Sequence, residues 1–145
     1  MSMKEINEII LFQLDKTSKV TKQYSQSVMD KLGFGLRIEQ WVLLKIIHEN
    51  SPLSQRELAT KSLRDPASIT RTLDILSKKA FINRLPIPNN RRQYNIELTA
   101  VGATFVDENM ETVKELRSLS VKGFSDEELK TLSSMLLRIQ ENMSL

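Results

Sequence analysis

The sequence contains no cysteine, which excludes a disulfide scaffold, a thiol nucleophile, thiol redox sensing and a cysteine-type zinc site. Glycine and proline occur only four times each in 145 residues, and because strand-rich folds need more turn residues, this composition favours a mainly helical chain. No apolar run approaches the roughly 18 residues of a membrane span. The first residues, MSMKEINEIILFQLDK, place acids within the apolar stretch and lack the cleavage site of a signal peptide. We therefore expect a cytoplasmic protein with no membrane contact.

Motifs for catalysis are also missing. The sequence has no phosphate-cradling glycine loop, no serine elbow and no Walker-type motif. His48 is the only histidine and has no cluster of acids at metal-ligand spacing around it, so we interpret it as structural. We expect no enzyme, no metal and no cofactor.

Positive charge is concentrated in the middle of the chain. The net charge is only +3, but Leu53 to Tyr94 contains nine basic and three acidic residues, a net charge of +6 for that third. A basic centre between near-neutral or acidic flanks indicates binding to a polyanion. From charge alone, a plain solvated basic surface explains the pattern equally well.

Apolar periodicity and capping signals predict four helices before the centre of the chain. A helical pattern covers residues 4–32 and ends at the glycines of GFG, and a second covers about 38–49. Ser54-Gln55-Arg56-Glu57 is a capping box that begins a third helix, which ends near Ser62. DPASITRTLDILSKKAF predicts the fourth, with Asp65 as its cap and Ile69, Leu73 and Leu76 as its core stripe.

The second half of the chain predicts a hairpin followed by two more helices. FINRL and QYNIEL are predicted strands joined by the loop PIPNN. Thr99 can cap a fifth helix that continues to Lys122, and Ser125-Asp126-Glu127-Glu128 is a second capping box. The sixth helix carries an a/d seam suited to pairing with another helix, formed by Leu129, Leu132, Leu136, Ile139 and Met143.

Two helices joined by a tight turn and followed by a hairpin predict a winged helix-turn-helix. The fold class is therefore mainly α with a small β-hairpin wing. We expect one domain over residues 1–145, with a DNA-binding lobe at 37–99 and long dimerisation helices at 1–36 and 100–145. The long helices predict a homodimer.

In a helix-turn-helix the second helix enters the major groove of double-stranded DNA, and the preceding helix crosses the backbone. The face opposite the core stripe of the fourth helix is small and hydroxylated, with an arginine able to read guanine. Its predicted contacts are Ala67, Ser68, Thr70, Arg71, Asp74, Lys78 and Lys79, and those of the preceding helix are Ser54, Gln55 and Arg56. Two alternatives stay open: local backbone bonding by Ser68 and Thr70, and an ion pair between Arg71 and Asp74.

The segments EQWVLL, PLSQRELA, DPASITRTLDILSKKAFINR and NNRRQYNIELTAVG resemble the multiple-antibiotic-resistance regulator (MarR) family of bacterial winged-helix proteins, over about 60 residues between Glu39 and Thr99. The resemblance implies a homodimer that binds a roughly palindromic operator, usually as a repressor, and that is often released by a small anionic or phenolic ligand. It also implies a DNA-contacting wing, whose candidates here are Arg84, Asn89, Asn90, Arg91 and Arg92.

The chain departs from the family pattern at three positions. Asn90 replaces the aspartate of an Asp-x-Arg wing element, in which the acid steadies the arginine; the Asn90 carbonyl can still accept a hydrogen bond from the Arg92 guanidinium. Ala80 replaces the glycine that commonly follows the recognition helix, and Arg37 replaces a threonine cap. If Ala80 is left-handed, it costs about 1 kcal/mol.

Two further expectations complete the sequence-based interpretation. Tyr24, Met29 and Trp41 are candidates for lining a ligand cleft, although Trp41 at its position fits the core at least as well. The alternative function is a winged-helix interaction module whose basic face docks an acidic partner protein; such a module needs no dimer.

Overall fold

The computed structural model describes residues 5–145, apart from the side chain of Arg91. A short 3-10 turn at Ile6–Glu8 precedes six helices and three strands: α1 Ile10–Lys31, α2 Ile38–Asn50, β1 Leu53–Ser54, α3 Gln55–Ser62, α4 Pro66–Lys78, β2 Ile82–Ile87, β3 Asn90–Leu98, α5 Ala100–Ser120 and α6 Asp126–Asn142. The predicted mainly helical fold with a hairpin wing is confirmed. Over the described range, no helix combines the length and the apolar character needed to cross a membrane.

The chain forms two compact units, one ending at Met110 and the other beginning at Glu111, so the boundary falls inside α5. The first unit contains the winged-helix lobe. Its core includes the predicted stripe of α4, since Ile69, Leu73 and Leu76 are fully buried. The domain limits predicted at residues 36/37 and 99/100 stay a prediction.

The second unit contains the end of α5 and all of α6. Ser125 accepts a hydrogen bond from the Glu128 amide at 3.1 Å, and the Glu128 carboxylate accepts one from the Ser125 amide at 3.0 Å, which confirms the second capping box. Along the predicted seam, Leu132 and Met143 are exposed in the single chain. The helix therefore carries an apolar stripe that its own chain leaves open to solvent.

The first helix begins later than its periodicity predicts. A helix over residues 4–32 is wrong at its start: Ile9 is extended, and α1 begins at Ile10. The side-chain amide of Gln13 donates to the Asn7 carbonyl at 2.8 Å, so that carbonyl is satisfied without a continuous helix. Residues 1–4, which the prediction included in part, lie outside the described residues.

The sheet has three strands in the order β1-β3-β2, all antiparallel. The two-strand prediction missed β1, in which Leu53 pairs with Ile96 and Ser54 with Asn95. The predicted PIPNN loop is too long, because β2 continues to Ile87 and only residues 88–89 turn the chain. Since Pro86 pairs with Tyr94 and Ile87 with Asn90, residues 91–93 of β3 bulge between the two pairs.

The end of α4 is fastened to the start of α5. The Thr99 hydroxyl donates to the Ala80 carbonyl at 2.6 Å and accepts from the Gly102 amide at 3.0 Å, so Thr99 caps α5 as predicted. The Thr99 amide donates to the Phe81 carbonyl at 3.0 Å. A Cβ on Gly102 would lie 2.1 Å from the Phe81 carbonyl oxygen, a backbone atom. Only glycine allows this approach.

The start of α2 shows how Arg37 replaces a threonine cap. The main-chain amide of Arg37 donates to the Gln40 side chain at 3.0 Å, and the Ile38 amide donates to the Gln26 side chain of α1 at 2.8 Å. Two glutamines therefore satisfy the amides of the cap residue and of the first helical residue, and the Gln40 amide, at the position from which a cap hydroxyl accepts in other helices, donates to the Arg37 carbonyl at 3.0 Å.

Ala80 is left-handed, with φ of 62°, so the strain predicted for it is present. We expect Ala80→Gly to raise the free energy of unfolding by about 0.5–1 kcal/mol, because relief of left-handed strain exceeds the entropy that glycine adds to the unfolded chain. Urea unfolding at fixed protein concentration measures the change. Ala59→Gly, inside α3, is the matched control and should lower stability by up to about 1 kcal/mol. Equal losses in both variants would contradict the prediction.

Candidate nucleic-acid interface

The start of α3 is organised by the predicted capping box. Ser54 accepts from the Glu57 amide at 3.0 Å, and Glu57 accepts from the Ser54 amide at 3.4 Å. The first amides of a helix have no intrahelical partner, and together with the helix dipole they attract a phosphate. Gln55 and the exposed Arg56 stand at this end of the helix. The predicted phosphate contacts thus share one helix terminus.

The cap of α4 fixes the start of the candidate recognition helix. The Asp65 carboxylate accepts from the Ser68 amide at 2.9 Å, and Pro66 occupies the first turn. This hydrogen bond lowers the pKa of Asp65, and the positive charge of Arg71 adds a smaller effect. Opposite the buried stripe, six of the predicted contact residues are exposed: Ala67, Arg71, Asp74 and Lys78, with Thr70 beside them and Lys79 at the end of the helix; the seventh, Ser68, is half-buried.

Asp74 forms its salt bridge with the wing instead of with its own helix. An Nη atom of Arg84 lies 2.6 Å from the Asp74 carboxylate, which links β2 to α4. The Arg71–Asp74 ion pair, an alternative that the sequence leaves open, is absent from the salt bridges of the described residues. Arg71 therefore keeps its guanidinium free of a carboxylate, whereas Arg84 and Asp74 neutralise each other. Their contact with DNA stays a prediction.

Most of the predicted cationic contacts are unpaired. Among the side chains that the structure describes, no carboxylate lies within salt-bridge distance of Arg56, Arg71, Lys78, Lys79 or Arg92. All five are exposed. Unpaired, hydrated cations on one lobe are what a polyanion requires.

The wing tip departs from the hydrogen bond that its sequence suggested. Asn89 is left-handed, with φ of 65°, and turns the hairpin. The Asn90 side-chain oxygen accepts from the main-chain amide of Arg92 at 3.2 Å, so Asn90 orders the loop backbone and leaves the Arg92 guanidinium free. The hydrogen bond that the Asn90 carbonyl could accept from the Arg92 guanidinium is not among the hydrogen bonds of the described residues. The predicted contact by Arg91 lies outside the described side chains.

A cleft of about 620 Å³ brings the three predicted regions together. Its lining comes from α3, the α3–α4 turn, the start of α4 and the bulge of β3, and consists of Gln55, Arg56, Ala59, Thr60, Leu63, Arg64, Pro66, Arg92 and Gln93. The pairing of β1 with β3 holds the wing beside the start of α3. The fold thus places the start of the predicted recognition helix, the end of α3 that is predicted to contact phosphate and the wing arginine on one surface.

Side chains outside α4 support its hydroxyls, a feature that sequence reasoning missed. Gln55 donates from Nε2 to Thr70 Oγ1 at 2.8 Å, and Arg64 donates from Nη2 to Ser68 Oγ at 2.5 Å. Thr70 also donates to the Pro66 carbonyl at 3.0 Å, so the local-bonding alternative holds for Thr70. Arg64 is not among the predicted contacts, because a single arginine in a turn carries no periodic signal.

Two of the three predicted ligand residues are buried in the single chain, and the site they would form stays a prediction. Met29 and Trp41 are only 2% and 3% exposed, and Tyr24 is 53% exposed. Trp41 packs edge-on against Phe34, with ring centroids 5.4 Å apart, as a core residue does. His48 lies 3.3 Å from the Asp107 carboxylate and thereby joins α2 to α5, in keeping with a structural role.

Comparison with known proteins gives consistent matches. The family model described as MarR family matches residues 36–94. The chain is 25% identical over 128 residues to the HTH-type transcriptional repressor IacR of Pseudomonas putida, covering 87% of this chain and 76% of that protein. Its fold is similar to the crystal structure of the S. aureus MepR–DNA complex (TM-score 0.83, 21% identity, 93% of this chain and 98% of that one). It is also similar to NadR in complex with 4-hydroxyphenylacetate (TM-score 0.74, 22% identity, 96% and 97%).

Proposed function

We propose that the chain is a member of the MarR family, whose model matches residues 36–94, and that it is a sequence-specific regulator of transcription that binds double-stranded DNA as a homodimer and represses from a pseudo-palindromic operator. The observation that carries this proposal is the exposed face of α4, where Arg71 has no acidic partner, next to the cleft shared by α3 and the wing. The repressor name of the Pseudomonas putida relative supports repression. The activity is non-enzymatic, and its place is the cytoplasm, where bacterial DNA lies.

Exposed apolar residues support the homodimer. Val20 and Tyr24 of α1 are exposed, and so are Leu132, Met135 and Leu137 of α6. Burial of such side chains is favourable by about 25 cal/mol per Å² of apolar surface. A second copy of the chain, with the same helices, supplies a matching surface.

Selection of bound sequences from random duplexes tests the proposal. We expect enrichment of two inverted half-sites whose centres are about one helical turn, or a multiple of it, apart, since a two-fold dimer presents two α4 helices. Lys130→Ala, in α6 and not among the cleft residues, is the control and should enrich the same sites. Enrichment of a single asymmetric half-site would rule out the homodimer, and no enrichment at all would favour docking to an acidic protein.

Release by a small anionic or phenolic ligand is part of the proposal, with the complex of NadR as its support. We propose a site near Tyr24, Met29 and Trp41. Because Trp41 is the only tryptophan, its fluorescence reports directly on that region. Titration with 4-hydroxyphenylacetate should change Trp41 emission over the same concentrations that release the operator. The control compound is benzyl alcohol, which lacks both the carboxylate and the phenol hydroxyl and should not release the operator. Release of the operator with unchanged Trp41 emission would place the ligand elsewhere.

A further inference from the structure

Two hydroxyls stand in the first turns of α4, and each is held by a side chain from outside that helix. Gln55, from α3, holds Thr70, and Arg64, from the α3–α4 turn, holds Ser68. The two bonds differ in what they leave available to an approaching base edge. The difference is whether the protein already accepts the single hydroxyl proton.

The Thr70 hydroxyl has no proton left for DNA. A threonine hydroxyl carries one proton, and that of Thr70 is donated to the Pro66 carbonyl at 3.0 Å, an atom that can only accept. Gln55 must then present its amide nitrogen to Thr70 Oγ1, as it does at 2.8 Å. The hydroxyl thus uses its proton and one of its two lone pairs within the protein. Since Thr70 is exposed, it offers DNA its methyl group and one remaining acceptor position, but no donor.

Ser68 has the opposite arrangement. Its oxygen accepts from the Arg64 guanidinium, and within the described hydrogen bonds its own proton goes to no protein acceptor. A cationic donor polarises the hydroxyl that it touches, which strengthens that hydroxyl as a donor in turn. Arg64 has no salt bridge among the described residues, and its second terminal nitrogen is buried without a hydrogen-bond partner. Its charge is therefore not cancelled by a carboxylate.

We propose that Gln55 and Arg64 are positioning residues that determine sequence specificity. Arg64 makes Ser68 a hydrogen-bond donor to an acceptor on a base edge, such as a purine N7, and Gln55 turns Thr70 into an apolar contact for the C5-methyl group of thymine. The inference rests on the proposed function. It assigns different roles in DNA recognition to two hydroxyls that the sequence alone does not distinguish.

The test compares Thr70→Val with Thr70→Ser on operator duplexes in which each thymine in turn is replaced by uracil. Wild type and Thr70→Val should lose about fourfold in affinity per half-site at the same thymine, the value of one buried methyl. Thr70→Ser should bind thymine and uracil equally. The ratio within each variant cancels any general loss of folding or affinity. A Val variant that loses this discrimination, or a Ser variant that keeps it, overturns the inference.

A second comparison tests the positioning residues themselves. Gln55→Ala should reduce the thymine-to-uracil ratio, because a threonine in a helix divides between two rotamers unless hydrogen bonds hold one of them, whereas the valine of Thr70→Val prefers a single rotamer and needs no such hydrogen bond. Arg64→Met and Ser68→Ala should each abolish the penalty for a 7-deazapurine at one position, and the double variant should show no further effect, as expected for two residues that act as a unit. Additive effects would make Arg64 an independent contact and overturn its assigned role. If wild type selects no duplex, the proposed function itself fails; if it selects one but no uracil substitution weakens binding, only this inference does.

Discussion

Raising the salt concentration from 50 to 200 mM is expected to weaken operator binding by about 10³- to 10⁵-fold. Three of the five unpaired cations, Arg56, Lys78 and Lys79, are predicted phosphate contacts, so a dimer presents six. Each phosphate contact contributes about −0.9 to the slope of log affinity against log salt, which gives a slope of roughly −5. The Arg84–Asp74 salt bridge is left out of this count because its charges cancel. Fluorescence anisotropy over a salt series measures the slope.

Single charge deletions identify the cations that contribute to the slope of log affinity against log salt. Lys79→Ala removes two phosphate contacts from a dimer and should make the slope shallower by about 1.8. The same deletion at Lys130 of α6 should leave it unchanged, because α6 contributes no residue to the cleft. A slope between 0 and −2 in the wild type would show that few of these cations meet phosphate.

Arg71→Ala is expected to cost about 1–3 kcal/mol per half-site and to relax base preference at one position of each. Arg71 lies on the exposed face of α4, in its second turn, and its guanidinium forms no salt bridge among the described residues. A free guanidinium can present its fork of donors to guanine O6 and N7 without first breaking an ion pair. Selection with the variant protein, compared base by base with wild type, measures the change.

Arg71→Lys separates charge from geometry. Lysine keeps the positive charge and loses the planar fork, so the salt slope should be retained while discrimination at the same base falls. Arg92→Ala provides the contrasting pattern, a weaker affinity for all duplexes or a selective loss at A·T-rich flanks with a narrow minor groove. An unchanged base profile in Arg71→Ala would assign base reading to another residue of α4.

Local signals along the chain were sufficient for most helix starts. At four helix starts the predicted cap side chain accepts a hydrogen bond from the main-chain amide three residues later: Ser54, Asp65, Thr99 and Ser125. A cap involves residues three positions apart, so its evidence is complete within a short stretch of sequence. The buried stripe of α4 is equally local, because periodicity alone identifies one face of a helix.

Features that join distant residues were not predictable in the same way. A strand of two residues such as β1 has no periodicity, and its pairing with Ile96 depends on the whole lobe being folded. Asp74 has Arg71 as a neighbour on its own helix, yet it pairs with Arg84 of β2, because the strand register brings that guanidinium closer. The hydrogen bonds that Thr70 and Ser68 accept from Gln55 and Arg64 likewise depend on the folded lobe. Consequently, the sequence identified which residues lie at the candidate interface but not which of their atoms are free.

The contact between Gly102 and the Phe81 carbonyl has a consequence for comparing related proteins. Position 102 has no side chain and belongs to no predicted DNA contact, yet any Cβ there would displace the backbone that follows α4. In an alignment of proteins that share this junction, we expect an invariant glycine in that column whichever operator each protein recognises. Columns of this kind report shared architecture, whereas differences in operator choice are to be sought at positions 55, 64, 68, 70 and 71.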